Sequence, residues 1–441
     1  MNAYRVIQRK RDGEALSPGE IREFLHGYVE GRLDDEQMAA FLMAVFFRGM
    51  SSPELDALVD VMLRSGEVAD LSAVAGIKVD KHSTGGVGDK VSLVLAPLVA
   101  SLGVPVPMMS GRGLGHSGGT VDKLESIPGF RTGLTLREYR AQMERIGCAL
   151  IAQTDEIAPL DRRLYALRDA TATVESIPLI ASSIMSKKIA EGLDALVLDV
   201  KLGNGAFLPD APRALELART MIAIGERYGR RVVAVLTAMD RPLGVAVGNA
   251  LEVGESIEAL RNGGPRDLRE VTLELAAEML VLGGAADNRF VGRRAAEAAL
   301  ADGRALEKMR EIVRAQGGDP AVLDEPARLP SAPVRVELRA DRAGVVATMD
   351  VRAIGMAAVT LGAGRCARGA RIDPAVGFHI PVKPGTRVEP GQWLATVFAR
   401  DDGAAARAMD ALRAAIRIED AMHERPLPLV VDRITGATPA A

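Results

Sequence analysis

A glycine-rich stretch, KHSTGGVGDK at residues 81–90, gathers the groups that bind small anions. It holds two lysines, one histidine and two hydroxyl side chains among three glycines. Backbone N–H groups in a glycine turn before a helix bind phosphate well, and nearby basic or hydroxyl side chains add to that binding. We therefore predict that Lys81, Ser83 and Ser92 bind phosphate, with one charge and two hydroxyl donors.

A second stretch, SGRGLGHSGGT at residues 110–120, repeats this design before another helix. Ser110 and Thr120 are its predicted phosphate ligands. Loops that follow neighbouring strands of a parallel sheet lie at one edge, so both loops can converge on one small anion. Neither is a nucleotide motif: Val91 stands where a triphosphate loop needs Ser or Thr, and the second loop lacks the acidic residue of a dinucleotide site.

Histidine is the third chemical group of interest, because a neutral imidazole donates or transfers a proton near pH 7. His82 lies inside the first glycine loop and is predicted to be catalytic. His116 lies in the second loop, which we expect it to orient. The other histidines, His26, His379 and His423, lie in helical or strand patterns and are predicted to be structural.

The residues before these loops predict a small all-helical domain. Residues 17–66 have helical patterns, with Ser17 and Glu20 as a capping box. Gly49 is placed to end one of the helices. We assign residues 1–70 to this domain.

Beyond it, short apolar strands alternate with helices. Strands are predicted at 77–80 and 104–109, with a helix at 91–102 between them. Strands that are apolar on both faces and separated by helices indicate a mostly parallel sheet covered on both sides. We assign residues 71–330 to a large α/β domain that carries both glycine loops.

The last part of the chain has a different pattern. Residues 318–333 are rich in Pro and Asp, which is typical of a linker. Short, turn-rich strands follow, with one helix near AARAMDALRAAIRI at 405–418. We assign residues 334–441 to a C-terminal α+β domain of barrel-sandwich type.

The composition argues against several classes of function. A formal net charge of -3 and 3% aromatic residues argue against nucleic-acid binding. No apolar run reaches the roughly 18 residues of a membrane span, and the charged start MNAYRVIQRKRDGE is unlike a signal peptide. Cys148 and Cys366 form no CxxC pattern, so we expect no disulfide framework, no metal site and a cytoplasmic location.

Three long stretches together carry a family resemblance. KHSTGGVGDKVS, SGRGLGHSGGTVDKLESIPGF and LYALRDATATVESIPLIASSIMSKKIAEGLDALVLDVKLGNGAF resemble the thymidine and pyrimidine-nucleoside phosphorylases. KRDGEALSPGEI, QMAAFLMAVFFRGM and the C-terminal domain are also similar to this family, so the resemblance covers nearly the whole chain. Ser117 stands where the family more often has Thr.

The resemblance implies reversible phosphorolysis of pyrimidine (2'-deoxy)nucleosides in pyrimidine salvage. Thymidine and phosphate would give thymine and 2-deoxy-α-D-ribose 1-phosphate. The phosphate would meet the five residues named above, and Arg168, Ser183 and Lys187 would bind the base, whose carbonyl oxygens and N3–H suit two cations and a hydroxyl. Because negative charge grows on the ring as the glycosidic bond breaks, Arg168 and Lys187 are predicted to be catalytic together with His82.

The resemblance also implies an assembly. Helices around 160–192 would complete the N-terminal helical domain, so that base and phosphate are held by two bodies that close on each other. A homodimer is expected through the N-terminal helices. QMAAFLMAVFF, at 37–47, has more apolar residues than one small helical unit can bury.

Two departures from the family pattern bear on substrate and cofactor. Met108 stands where enzymes that accept uridine usually have Lys, which predicts a preference for deoxyribose. Lys90 stands where those broader enzymes use Thr to bind potassium. Its ammonium group would take the place of the ion, which argues against a potassium site. No His, Asp or Glu cluster has the spacing of metal ligands, and Lys81 with backbone N–H groups can meet the charge of phosphate, so we expect neither a metal nor another cofactor.

Three alternatives remain open. The first is a broad pyrimidine-nucleoside phosphorylase that also uses uridine. The second is an enzyme like anthranilate phosphoribosyltransferase, which needs an acidic magnesium-binding patch, with VDKLE (121–125) and LDVK (198–201) as weak candidates. The third is a carrier protein, because the C-terminal domain resembles lipoyl domains, but the candidate Lys383 lies between Val382 and Pro384 and attachment is not expected.

Overall fold

The computed structural model of the protein describes residues 2–154, 156–367 and 369–436. It has an N-terminal helical region, a large α/β region and a C-terminal region of antiparallel strands with two helices. This architecture confirms the predicted fold class. Within the described residues, no helix is both long and apolar enough to cross a membrane.

The N-terminal region has four helices: α1 (Ala3–Arg11), α2 (Pro18–Val29), α3 (Asp35–Arg48) and α4 (Ser52–Arg64). Ser17 accepts a hydrogen bond from the backbone N–H of Glu20, whose carboxylate accepts one from the backbone N–H of Ser17. This is the predicted capping box. Gly49, with a φ of 68°, ends α3 as predicted.

The α/β region follows in chain order as β1 (Val79–Ser83), α5 (Val91–Ala100), β2 (Val106–Ser110), α6 (Thr120–Leu124), α7 (Leu136–Ile146), β3 (Cys148–Ala152), α8 (Pro159–Ala170), α9 (Ile177–Ala190), β4 (Ala195–Leu202), α10 (Ala211–Arg227), β5 (Arg231–Ala238), β6 (Ala246–Val247), α11 (Asn249–Leu260), α12 (Arg266–Leu282), α13 (Arg289–Ala301) and α14 (Arg304–Ala315). Strands β1, β4 and β5 are parallel neighbours, and β2 and β3 form a parallel pair. All residues of β4 are buried, so helices cover both faces of the sheet there.

The first strand begins two residues later than predicted. Its backbone pairs with β4, with Lys81 opposite Val197 and Ser83 opposite Asp199. Lys81 and Ser83 therefore lie in the strand, and the glycine turn begins only after it. Their side chains are fixed by the sheet ladder, which a flexible loop would not provide.

Helices α8 and α9 pack against the N-terminal helices. Both contact α4, and α8 also contacts α3. Leu58 and Met62 of α4 belong to the same buried cluster as Leu160 of α8 and Met185 of α9. Two segments far apart in sequence thus form one helical body.

The C-terminal region begins after short 3-10 turns at Pro320–Leu323 and Pro326–Arg328. It contains β7 (Val334–Arg339), β8 (Gly344–Met349), α15 (Val351–Ala358), β9 (Gly377–His379), β10 (Arg387–Val388), β11 (Trp393–Ala399), α16 (Asp402–Ala415), β12 (Ile416–Glu419) and β13 (Val430–Thr435). Apart from β13, its strands form two antiparallel sheets, in the orders β10-β8-β12 and β6-β9-β11-β7, the second of which includes β6 of the α/β region.

The α/β and C-terminal regions exchange strands. β6 of the α/β region pairs with β9, while β13 returns to the central sheet and pairs antiparallel with β5. The C-terminal region is therefore joined to the α/β region by two strand pairings, and a further backbone hydrogen bond runs from the N–H of Ala250 on α11 to the carbonyl of Pro374.

Candidate active site

A cavity of about 950 Å³ lies between the carboxyl ends of β1 and β2 and the helices α8 and α9. Its walls include every residue that the sequence predicted for the site: Lys81, His82, Ser83, Ser92, Ser110, Thr120, Arg168, Ser183 and Lys187. The phosphate candidates lie on the sheet side and the base candidates on the helix side. A second cavity, of about 530 Å³, lies between α11 and the C-terminal region and is lined by none of these nine residues.

Lys81 is the buried cation of the sheet side, with only 2% of its surface exposed. Its Nζ lies 3.4 Å from Ser92 Oγ and 3.5 Å from Asp199 Oδ2. Ser92 belongs to the first turn of α5 and so brings a hydroxyl to a helix N-terminus. An ammonium group, a hydroxyl and the positive end of a helix together suit an anion.

The glycine turn after β1 is held by Ser83. Its hydroxyl donates to the Asp89 carboxylate at 2.5 Å and accepts from the backbone N–H of Gly85 at 3.2 Å. Gly85 has a φ of 95°, a conformation that other residues rarely adopt. The turn therefore depends on glycine and on a short bridge from Ser83 to Asp89.

A buried charge network supports this turn from behind. Lys201 Nζ lies 2.7 Å from Asp199 Oδ2 and 3.7 Å from Asp89 Oδ2. Burial works against the charge of Asp89, but Lys201, Lys81 and Lys123 outweigh it and hold the pKa of that carboxyl well below its usual range. Asp89 is therefore ionised and can accept from Ser83 throughout the neutral range.

On the helix side, Lys187 and Ser183 lie one turn apart on α9. Lys187 Nζ donates to Ser183 Oγ at 2.8 Å and to Asp161 Oδ2 at 2.5 Å. Burial lowers the pKa of Lys187, and Asp161 opposes this effect. The ammonium group is thus desolvated, which strengthens its attraction to any negative charge that develops in the cavity.

Arg168 is 2% exposed and is fixed by backbone carbonyls. Its three nitrogens donate one hydrogen bond each to the carbonyl oxygens of Thr173, Val174 and Leu179. A guanidinium has five N–H donors, so two remain for a ligand. Burial lowers the pKa of Arg168, as it does for Lys187.

His82 is half-buried between the two sides of the cavity. Burial and the ammonium groups of Lys188, Lys187 and Lys81 lower its pKa well below the ordinary value. The imidazole is therefore neutral at pH 7. A neutral imidazole has one donor and one acceptor nitrogen, as a proton-transfer role requires.

Sequence reasoning did not select Asp161 and Tyr165, which also line the cavity. Asp161, Tyr165 and Arg168 are spaced i, i+4, i+7 on α8 and so share one face. The Tyr165 ring lies under both Arg168 and Lys187, at 5.6 Å and 5.7 Å from its centroid. The sequence could have indicated both residues, because their helical spacing places them on the same face as Arg168.

The C-terminal region also contributes to the cavity wall, which the sequence did not suggest. Arg365 and Cys366 line it, and Arg365 forms two hydrogen bonds with Asp122 of α6. His116, in the second loop, lies with Nε2 2.8 Å from the carbonyl oxygen of Gly205. This contact joins the second glycine loop to the loop after β4.

Met108 does not line the cavity. It is fully buried in the hydrophobic core with Val106 and Leu150, and its neighbour Met109 borders the cavity instead. Successive side chains of a strand point to opposite faces, which accounts for the difference. The structure therefore shows no contact through which Met108 would distinguish two sugars.

Lys90 is buried against oxygen atoms. Its Nζ donates to the carbonyl oxygens of Leu243 at 2.8 Å and Ala246 at 2.9 Å, and to the Glu255 carboxylate. Among the residues that the structure describes, no group of His, Cys, Asp and Glu side chains could hold a metal ion.

The side chains that a magnesium-binding phosphoribosyltransferase or a carrier protein would need are already bound to other groups of the protein. The acidic candidates for a magnesium patch are paired with cations, Asp122 with Arg365 and Asp199 with Lys201. Lys383, the carrier candidate, donates to the backbone carbonyls of Pro242 and Gly244. It is not presented at a free hairpin tip.

Matches to family models follow the architecture. Residues 4–66 match the helical bundle domain of the glycosyl transferase family, and residues 75–306 match the a/b domain of the same family. Residues 345–419 match the pyrimidine nucleoside phosphorylase C-terminal domain. The fold and the family models thus define a glycosyltransferase.

Proteins of similar sequence show which family of glycosyltransferases the chain belongs to. A pyrimidine-nucleoside phosphorylase of Bacillus subtilis is 50% identical over 399 residues, which is 90% of this chain and 92% of that protein. Similar enzymes of Geobacillus stearothermophilus and Staphylococcus haemolyticus are 50% and 48% identical, with the same shares covered. The chain belongs to the pyrimidine-nucleoside phosphorylase family.

A solved structure shows a related fold. Anthranilate phosphoribosyltransferase from Thermus thermophilus aligns with a TM-score of 0.58 at 19% identity, over 72% of this chain and 99% of its own. The two proteins therefore share the arrangement of a helical domain and an α/β domain. At 19% identity this similarity shows a common fold and gives no information about activity.

Proposed function

We propose that the protein catalyses the reversible phosphorolysis of pyrimidine nucleosides, giving the free base and a pentose 1-phosphate. The observation that carries this proposal is the placement of anion ligands and ring ligands on facing walls of one cavity. The names of the relatives at about half identity support the same reaction. Salvage of pyrimidine bases is the metabolic role that such a reaction serves.

In this proposal the sheet side holds phosphate. Lys81 supplies the charge, Ser92, Ser110 and Thr120 supply hydroxyl donors, and the glycine turns supply backbone N–H groups. Ser83 donates to Asp89 in the absence of phosphate, so it joins the phosphate ligands by turning its single O–H from Asp89 to the anion. A phosphate oxygen then attacks C1' of the sugar while the bond from C1' to the ring nitrogen breaks. The reacting atoms must come within about 3–3.5 Å, so fixed ligands on both walls lower the barrier by positioning.

The helix side stabilises the departing base. The two free N–H groups of Arg168 and the ammonium group of Lys187 donate to the ring carbonyl oxygens, and the Ser183 hydroxyl contacts the ring edge. Negative charge on these oxygens increases as the bond breaks, so the cations act most strongly in the transition state. Neutral His82 donates to a carbonyl oxygen or gives its proton to the ring nitrogen.

The direct test is incubation with thymidine and phosphate, and in parallel with uridine and phosphate. We expect free base and sugar 1-phosphate in equal amounts, and no base when phosphate is omitted. Release of base at the same rate without phosphate would show a hydrolase instead. The sequence predicts faster reaction with thymidine, whereas equal rates would identify the broader alternative, which the core position of Met108 permits.

We also propose that activity needs no metal or organic cofactor. The Lys90 ammonium group occupies a site with three oxygen partners that would suit a potassium ion, and Lys81 with backbone N–H groups meets the charge of phosphate. Turnover should be unchanged by a chelator and by replacement of potassium and sodium salts with choline salts. Activity that disappears in choline and returns with potassium would overturn this proposal. Lys90→Thr offers a sharper form of the test, since it empties that site and should create dependence on potassium.

We further propose a cytoplasmic homodimer that assembles through the N-terminal helices. Phe47 is 75% exposed on α3 and Tyr4 is 70% exposed on α1. Light scattering should give twice the chain mass for the wild type and a monomer for Phe47→Glu. Phe290→Glu is the matched control, because Phe290 is 83% exposed on α13, outside the N-terminal helical region. Dissociation of the dimer by Phe290→Glu and not by Phe47→Glu would show that the interface includes α13 instead.

Closure of the cavity is part of the proposal, since phosphate and base are held by different bodies. The helical body formed by α1–α4, α8 and α9 should approach the sheet when both ligands bind. Small-angle scattering should show a smaller radius of gyration with phosphate and a non-cleavable nucleoside together than with neither. Identical scattering in both states would remove closure from the account.

A further inference from the structure

The loop at 242–246 joins three parts of the molecule through its backbone. It follows β5 and ends at the first residue of β6, and all five of its carbonyl groups and all four of its N–H groups are hydrogen-bonded. The partners come from the first glycine turn, from the helices α11 and α12, and from the C-terminal region. A loop with every backbone group engaged is rigid only as long as each partner stays in place.

One face of this loop holds the glycine turn. Lys90 donates to the carbonyls of Leu243 and Ala246, and the Leu243 N–H donates to the carbonyl of Val87 at 3.1 Å. Gly88 has a φ of 71°, and a Cβ at this position would lie 2.6 Å from the carbonyl oxygen of Leu243. The two backbones therefore pack directly against each other, without side chains between them.

The opposite face is held by the C-terminal region. Lys383 donates to the carbonyls of Pro242 and Gly244, and its Nζ lies 3.3 Å from Asp267. The backbone N–H of Ile380 donates to the carbonyl of Val245 at 2.8 Å. Two ammonium groups, from different regions of the chain, thus bind four of the five carbonyls of one short loop.

Each ammonium group also has a carboxylate that anchors the same loop. Glu255 pairs with Lys90 and accepts from the N–H groups of Val245 and Ala246. Asp267 pairs with Lys383 and accepts from the N–H of Gly244 at 3.1 Å. Charges balance on both faces, so loss of one lysine leaves a carboxylate and two carbonyls without their cation.

We propose that Lys383 is a positioning residue for phosphate binding: by fixing the loop at 242–246, it holds the segment from Val87 to Lys90, and with it Gly85, Asp89 and Ser92, which line the phosphate side of the cavity. This inference rests on the proposed function, because it takes the glycine turn to be the phosphate site. It assigns the C-terminal region a role in the reaction beyond its place in the fold.

The physical argument concerns the population of the binding-competent turn. An anion site binds tightly only if its ligands are already in place, and here Asp89 anchors Ser83 while Ser92 follows the turn on α5. When Lys383 is replaced, two carbonyls and Asp267 lose their cation, the loop relaxes toward water, and Val87 and Lys90 shift with it. Apparent affinity then falls by the fraction of molecules that keep the competent turn.

The experiment compares Lys383→Met with Lys308→Met. Lys308 makes a similar set of contacts elsewhere, donating to the carbonyl of Ile146 at 3.1 Å and pairing with Glu311, and its side chain is 19% exposed against 24% for Lys383. We expect the KM for phosphate to rise about five- to tenfold in Lys383→Met, while the KM for nucleoside changes less than twofold. Lys308→Met should leave both values within twofold of the wild type, and Lys383→Arg should restore part of the loss.

Hydrogen exchange supplies a readout that does not depend on turnover. Amides of residues 84–92 should exchange faster in Lys383→Met than in the wild type or Lys308→Met, and saturating phosphate should restore their protection. An unchanged phosphate KM, or equal effects in both Met variants, would overturn the proposal. A wild type that shows no reaction with phosphate would count against the proposed function instead, and the exchange rates would still decide whether Lys383 holds the turn.

Discussion

The two walls of the cavity are built in different ways. On the sheet side, Lys81 and Ser83 lie in a strand and their partners, Asp199 and Asp89, are themselves fixed by the buried Lys201. On the helix side, Arg168, Ser183 and Lys187 lie on two helices that pack on the N-terminal region. One wall belongs to the sheet, and the other belongs to a body made from separate segments.

In the proposed assignment the sheet side holds phosphate and the helix side holds the base, and the difference between the walls suits each ligand. Phosphate carries its charge before and after reaction, so its site can be fully neutralised and rigid. The base becomes charged only as its bond breaks, so its cations are desolvated and their pKa values are lowered by burial. A lowered pKa in a cation means that it gains more from a new negative charge than a solvated cation would.

The largest expected effect is on the helix side. Lys187→Ala and Arg168→Ala should each lower kcat about 10²- to 10³-fold, with the KM for phosphate within about threefold of the wild type. Steady-state kinetics with both substrates varied will measure this split. Lys187→Gln keeps a donor beside Asp161 and controls for folding; a collapse of phosphate binding with near-normal kcat would show that the two walls are assigned the wrong way round.

A smaller effect is expected on the sheet side. Lys81→Ala should raise the KM for phosphate roughly 10- to 100-fold, because a charge-assisted contact contributes about 1.5–3 kcal/mol. Asp199 keeps Lys201 as a partner, so the fold should survive the change. An unchanged KM for phosphate in a folded Lys81→Ala protein would remove Lys81 from the site.

The pH dependence of stability tests the environment of His82. Its pKa in the folded protein lies well below the value of 6.5 expected in the unfolded chain, so only the unfolded chain takes up this proton as pH falls below about 6.5. Stability is therefore lost toward low pH, by up to about 2 kcal/mol at pH 5 from this group. Urea unfolding at pH 7 and pH 5 should show a smaller drop for His82→Gln than for the wild type.

An equal drop in His82→Gln and the wild type would mean that His82 titrates normally in the folded protein. The kcat/KM profile should likewise show no histidine ionisation between pH 6 and pH 8.

The smallest effect is expected for Ser183→Ala. Loss of one neutral hydroxyl contact costs about 0.5–1.5 kcal/mol, or roughly two- to twelvefold in kcat/KM for the nucleoside. Ser182 is its control, since it is equally buried on α9 but donates to the carbonyl of Leu179 and does not line the cavity. Equal losses in Ser183→Ala and Ser182→Ala would indicate general damage to α9.

The sequence predicted the sheet side more fully than the helix side, for a physical reason. Lys81, Ser83 and Ser92 lie close in sequence, and the glycine pattern around them is a local requirement of the turn. Asp161 and Tyr165 act through contacts that exist only after α8 and α9 have packed together. Their spacing in the sequence predicts that they share one face of α8. The spacing does not predict which residues of other helices that face contacts.

Contacts between distant segments also limited the prediction of the fold, as the C-terminal region shows. The strand pattern of the α/β region predicted a parallel sheet, since alternation of strands and helices leaves few other arrangements. The return of β13 to pair with β5 was not predictable, because an edge strand is recognised only by its partner. Arg365 lines the cavity, and Lys383 donates hydrogen bonds to the loop at 242–246. Both contacts join residues far apart in sequence, so they were not predictable either.

The central claim is that the two walls bind different substrates, and equilibrium binding of inorganic phosphate tests it without turnover. Calorimetric titration should show phosphate binding to the wild type and to Lys187→Ala with affinities within about threefold, and binding to Lys81→Ala weakened roughly 10- to 100-fold. Phosphate binding that is lost in Lys187→Ala and retained in Lys81→Ala would contradict the account.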